Sequence, residues 1–230
     1  MTPNGTSMEI SQTVEDYLKA IFEESNPPTL ASTTAIAERM GVTLASVTSM
    51  LKKLAAKTPA LVDYRKHHGA KLTPEGTLLA LKIIRRHRLL ELFLHDVLAF
   101  EWDEVHEEAD RLEHVISDAF VQRIAIALDD PDWDPHGHPI PSVDLEMPQE
   151  NTIQLYDLKS GENGVVRWVS DRDPSLLRHL TELGIALGTR LEVRSFSSLD
   201  ENHTVRLLET GEEVVLGAGI TRQIGIQKLD

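Results

Sequence analysis

The sequence predicts a mainly α protein that opens with a winged helix-turn-helix and closes with a C-terminal β barrel. Three observations carry this. Apolar residues recur at helical spacing through most of residues 13–128, interrupted by one hairpin signal. Five prolines then fall within residues 129–149. Beyond them, short β-branched runs alternate with glycine turns to the end of the chain.

In residues 13–24, Val14, Tyr17, Leu18 and Ile21 share one face, which predicts a first amphipathic helix ended by Asn26-Pro27-Pro28. Residues 33–40 form a short second helix, Gly41-Val42 a tight turn, and Thr43 the N-cap of a third helix to about Ala56. Residues 61–65 and 70–73 alternate around His67-His68-Gly69, a hairpin signal. Helix, helix, turn, helix, hairpin is the order of a winged helix-turn-helix. Pro74 suits the first turn of a long helix through about Leu98, and residues 103–128 read as one further helix. Pro131, Pro135, Pro139, Pro141 and Pro148 make residues 129–149 a linker or wrapped loop. The runs 164–169, 188–193 and 212–216 are the strands expected of a small barrel. The expected domains are 1–75, 76–150 and 151–230.

A chain of 230 residues, 41% hydrophobic, is long enough for more than one core. Zero cysteines exclude disulfides, zinc ribbons and iron-sulfur clusters. Neither a charge-free apolar run of membrane-spanning length nor a signal-like apolar centre in residues 1–8 is present, so no membrane partner and a cytoplasmic location are expected. The net charge of −14 is unevenly spread. Residues 31–90 hold 11 Lys and Arg against 3 Asp and Glu, whereas residues 91–150 hold 2 against 17. A basic module suited to phosphates is joined to an acidic one suited to cations.

In a helix-turn-helix the start of the second helix meets base edges in the major groove, and flanking cations hold phosphates. That places Thr43, Ala45, Ser46, Thr48 and Ser49 near bases of double-stranded DNA, with Lys52, Lys53, Arg65 and Lys66 on its backbone. Small hydroxyl and methyl side chains make few bidentate contacts, so specificity is expected to lean on thymine methyls, water and DNA shape.

Metal-capable residues follow. His87 and Glu91 stand one turn apart, and His106, Asp110, Glu113 and His114 form a second stripe. Carboxylates and imidazoles without thiolates favour Mn²⁺ or Fe²⁺ over Cu⁺. Together with the basic segment, they imply a DNA-binding protein that reads metal concentration. A metal-dependent hydrolase would use similar ligands, but G-x-S-x-G, H-E-x-x-H and P-loop patterns are all missing. A metal buffer without DNA binding would leave the basic winged helix without a role.

The runs HEEADRLEHVIS (106–117), RRHRLLE (85–91), VEDYLKAIFE (14–23) and PHGHPIP (135–141) resemble the diphtheria-toxin-repressor family of metal-dependent regulators over nearly the whole chain. The resemblance implies a helical dimerisation domain, a homodimer, a palindromic operator bound when Mn²⁺ or Fe²⁺ is loaded, repression of uptake genes for those metals, and an SH3-like (FeoA-like) C-terminal barrel. It implies a primary metal site on Asp16, Asp110, Glu113 and His114, with an ancillary site on His87, Glu91 and His106. A further ligand from the barrel would be Asp171 or Asp173. Iron-responsive members often carry Met and Cys where this chain has Asp16 and Asp110, which resembles the manganese-responsive branch. Lys19 stands where two-domain manganese regulators have an extra acidic ligand, which departs from their binuclear centre.

Overall fold

The structure is a computed structural model that describes residues 10–25 and 29–229. The Asn26-Pro27-Pro28 break and the segment 1–8 lie outside the described residues. The chain divides into two compact units, residues 1–86 with 143–145, and residues 87–142 with 146–230.

In the first unit, α1 (Gln12–Glu24) buries Val14, Tyr17, Leu18 and Ile21, the apolar face read from its spacing. The helix α2 (Thr33–Met40) starts where the Ser32 hydroxyl accepts from Ala35 N at 3.0 Å, and stops at Gly41, whose φ of 63° favours glycine. The helix α3 (Leu44–Ala55) is capped by Thr43, whose hydroxyl accepts from Ser46 N at 3.2 Å. It seats Val47, Leu51 and Leu54 in the core with Ile36 of α2. Each such buried side chain contributes roughly 1.5–3 kcal/mol. Strands β1 (Val62–Arg65) and β2 (Gly69–Leu72) pair antiparallel with Val62 opposite Leu72, forming the wing. The Thr73 hydroxyl then accepts from Gly76 N at 3.1 Å and starts α4 (Pro74–Asp96).

The second unit takes the C-terminal part of α4 together with α5 (Val105–Leu112) and α6 (Asp118–Ala127). Leu89, Leu90 and Leu94 pack there with Val105, Ala109, Ile124 and Ala125. The single helix expected over residues 103–128 is therefore two. Ser117 takes an extended backbone (φ −81°, ψ 154°), and its hydroxyl accepts from Phe120 N at 3.2 Å, so it begins a new helix instead of continuing the old one. Glu113 is the C-cap of α5 and His114 lies beyond it, outside the regular helical stripe.

The remainder of this unit is an antiparallel sheet of β3 (Ile153–Gln154), β4 (Asn163–Val169), β5 (Arg190–Ser197), β6 (Asn202–Leu207), β7 (Glu213–Leu216) and β8 (Ile224–Leu229). Its order is β3-β8-β4-β5-β6-β7, with the helix α7 (Pro174–Glu182) burying Leu176, Leu177 and Leu180 in the core that the sheet lines. The expected barrel is not closed. Among the described residues β3 and β7 remain edges, since β3 spans two residues and pairs with β8 alone. Register shifts at Val166/Trp168 and Val193/Ser195 mark bulges in this sheet, which bend strands without joining its edges.

Candidate metal centre

Within the second unit, helix periodicity sets the first pair. His87 and Glu91 lie one turn apart on α4, with His87 Nε2 at 2.9 Å from Glu91 Oε1. From α5, His106 brings Nδ1 to 2.9 Å from the same oxygen and 3.1 Å from His87 Nε2. The loop between β4 and α7 adds Asp171, with Oδ2 at 3.4 Å from His106 Nδ1. All four residues offer ligand atoms within 4.8 Å of one another, and Glu91 is wholly buried with Oε2 lacking a hydrogen-bond partner among the described residues. Asp173 is spent otherwise: it caps α7, accepting from Ser175 N at 2.9 Å and Ser175 Oγ at 2.7 Å.

A second group shares His87. Its Nδ1 lies 2.7 Å from Glu113 Oε2 and 3.4 Å from Asp110 Oδ1, and the three residues form another cluster with metal-ligand spacing. His114 Nε2 stands 3.4 Å from Glu113 Oε1. Asp16 is half-buried on α1 of the first unit.

In the first group, buried carboxylates and imidazoles set one another's charge. Burial pushes the Glu91 carboxyl up, but the His87 charge and hydrogen bonds from His106 and His87 together hold it well below the usual range. Burial opposes a charge on His106, yet hydrogen bonds and charges from Asp171 and Glu91 raise it to about 10. Asp171 is likewise held low against burial, by His138, His106 and His136. The His106 imidazolium compensates the buried carboxylates, a role that a divalent cation held by the same residues would also fill.

On the first unit, Thr43, Ala45, Ser46, Ser49, Lys52, Lys53, Arg65 and Lys66 are exposed and Thr48 is half-buried. The Thr43 hydroxyl is already engaged with Ser46 N and Ser46 Oγ, so its first task is capping. Sequence reasoning passed over Leu44, which is 53% exposed at the start of α3. The available signal was its place outside the Val47, Leu51, Leu54 core spacing. It also passed over Asp134, His136 and His138 in the proline-rich loop, which form a further cluster. On the second unit Val97, Leu98, Val115, Phe120 and Ile126 are exposed. Among the described residues, no helix is long and apolar enough to cross a membrane.

Comparison with known proteins matches residues 9–70 to the N-terminal DNA-binding domain of iron-dependent repressors, residues 73–142 to their metal-binding and dimerisation domain, and residues 153–228 to the FeoA domain. The chain is 29% identical to a diphtheria toxin repressor of Corynebacterium efficiens over 232 residues, 96% of this chain and 98% of that protein. It is 31% identical to the iron-dependent repressor IdeR of Mycobacterium tuberculosis over 199 residues, 81% of this chain and 86% of that one. A solved structure of a manganese-dependent transcriptional repressor in complex with manganese is 38% identical, with a TM-score of 0.87, covering 94% of this chain and 100% of its own.

Proposed function

Since the chain belongs to the iron-dependent repressor family of metal-dependent transcriptional regulators, we propose that Mn²⁺, or Fe²⁺ in its place, switches it on as a repressor of genes for uptake of those metals. The observation that supports this best is the convergence of His87, Glu91, His106 and Asp171 around a buried carboxylate oxygen without a partner. Such a donor set suits a divalent cation that accepts both oxygen and imidazole. These four residues are the ancillary site in this reading; Asp16, Asp110, Glu113 and His114 are the primary-site residues that the family resemblance implies. The three-part division at 1–75, 76–150 and 151–230 goes with it.

A bound divalent cation supplies positive charge and fixed ligand directions. The chain's own residues do the rest. Glu91 and Asp171 hold His106 against α4, and His87 couples the two groups because each of its nitrogens faces a different one. The exposed Val97, Leu98, Val115, Phe120 and Ile126 offer an apolar face to a second copy of the chain, as a dimerisation domain requires. Two copies present two α3 helices, which suits a palindromic operator in double-stranded DNA. Thr43, Ala45, Ser46, Thr48 and Ser49 then meet bases, and Lys52, Lys53, Arg65 and Lys66 meet phosphates in the cytoplasm. Exposed Leu44 adds an apolar contact for a thymine methyl.

Fluorescence anisotropy of a promoter fragment from a metal-uptake gene tests this. Asp16→Ala and Glu91→Ala are expected to keep the dimer and to lose Mn²⁺-dependent affinity, Asp16→Ala the more severely. Wild-type affinity in both variants at saturating Mn²⁺ would refute the assignment.

A further inference from the structure

We propose that the loop of residues 134–138 is a further divalent-cation site, formed by Asp134 Oδ2, His136 Nδ1 and His138 Nδ1 and leaning on Asp171. The proposal goes beyond the ancillary group, and shares with it only Asp171. The three donor residues offer atoms within 4.8 Å of one another.

The loop backbone aims these atoms. Asp134 Oδ1 accepts from His136 N at 2.8 Å and His138 N at 2.9 Å, which closes a tight turn and fixes the carboxylate. Its other oxygen, Oδ2, has no hydrogen-bond partner among the described residues, although the side chain is fully buried. His136 is fully buried too, and its Nε2 lies 2.7 Å from the Trp102 carbonyl. A carbonyl only accepts, so Nε2 carries the proton and Nδ1 presents a lone pair with no partner. Backbone carbonyls orient metal-binding histidines in this way. His138 Nδ1 is a third such atom, 3.4 Å from Asp134 Oδ2 and 3.8 Å from Asp171 Oδ2.

The loop is held in place from outside. Val169 N donates to the His136 carbonyl at 2.9 Å, and Gly137, at φ +84°, lies so close to the Arg167 carbonyl that a Cβ would overlap it. The geometry is therefore set before any ligand arrives. Three unsatisfied buried atoms at one point are what an absent ion leaves behind.

Besides His138 itself, whose Nδ1 lies 3.4 Å from Asp134 Oδ2, Arg88 is the nearest competing cation. Its Nε is 3.7 Å from Asp134 Oδ2 and its Nη1 donates to the Pro139 carbonyl. It offsets part of the carboxylate charge but cannot satisfy the lone pair of His136, because a donor is needed there and the guanidinium is directed elsewhere. Two imidazole nitrogens with one or two carboxylates suit Zn²⁺ or Co²⁺ better than Mg²⁺ or Ca²⁺.

Titration of the metal-free full chain with Co²⁺, followed by its visible absorption, counts the sites. His138→Asn is expected to bind one Co²⁺ fewer per chain than wild type. Glu91→Ala is expected to lose a different equivalent and to keep the one that His138→Asn removes. Equal stoichiometry in wild type and His138→Asn would overturn the proposal, whereas an unchanged Glu91→Ala would overturn only the ancillary assignment. Histidine ¹⁵N spectra of the wild type with Zn²⁺ give a second reading that needs no variant. The unprotonated Nδ1 signal of His136, whose Nε2 carries the proton, should move to a metal-bound position, and its staying in place through excess Zn²⁺ would overturn the proposal as well.

Discussion

Raising the pH should tighten metal binding at the His87, Glu91, His106 and Asp171 group, because His106 must give up a proton to become a ligand. That proton is held by Glu91 and Asp171 with a pKa of about 10 against an ordinary 6.5, which corresponds to roughly 5 kcal/mol of extra proton affinity at 1.36 kcal/mol per unit. At pH 7.5 His106 in the metal-free site is almost wholly protonated, and displacing that proton costs roughly 3 kcal/mol, about two orders of magnitude in apparent affinity. Through His106 alone the apparent association constant should then rise about tenfold per pH unit from pH 6 to 9 and level off near 10. At pH 7.5 His106 should account for about one released proton per metal bound at this group. Calorimetric titration with Mn²⁺ in buffers of different protonation enthalpy measures both quantities. Glu91→Gln keeps the shape and removes the charge, so proton release should fall below one while affinity also falls. A flat pH dependence with no proton released would refute the reading of His106 as a charged placeholder.

Without metal, Glu91 and Asp171 are depressed, so their stabilisation is present above about pH 4.5 and lost as pH falls below it. His106 is raised, so its stabilisation is whole below about 6.5 and lost as pH climbs to about 10; denaturant unfolding should show greatest metal-free stability between about pH 4.5 and 6.5. Val115 is 77% exposed and Ile126 59% exposed, and covering such a side chain contributes roughly 1.5–3 kcal/mol in each protomer. Val115→Glu or Ile126→Glu should therefore weaken the dimer about 100-fold or more in sedimentation equilibrium, and an unchanged dimer would move the interface elsewhere. Lys52→Ala and Lys53→Ala should each lower DNA affinity without changing sequence preference and reduce the salt slope by about 1.

The helices of the first unit were legible because their stop and start signals act locally. Ser32 and Thr43 are side-chain caps, and Gly41 supplies the left-handed turn between α2 and α3. The gap at residues 113–117 was harder to see, since apolar spacing runs on through Leu112, Ile116 and Phe120 while one hydroxyl, that of Ser117, breaks the helix. Barrel closure was not legible at all, because it depends on whether edge strands meet, and β3 is too short to reveal its pairing by alternation. In the candidate centre, His87 and Glu91 follow from helical period, whereas the choice of Asp171 over Asp173 needed the fold to show which aspartate caps α7. Asp134, His136 and His138 sit in a loop without period, where two-residue spacing means little until the turn is seen.

Metal dependence of DNA binding tests the central claim most directly. Wild-type protein should bind an uptake-gene promoter fragment tightly at fixed salt with Mn²⁺ or anaerobic Fe²⁺, and at least 100-fold more weakly after chelation, with a scrambled fragment unresponsive. Equal binding with and without metal, or metal uptake that leaves DNA affinity unchanged, would contradict the account.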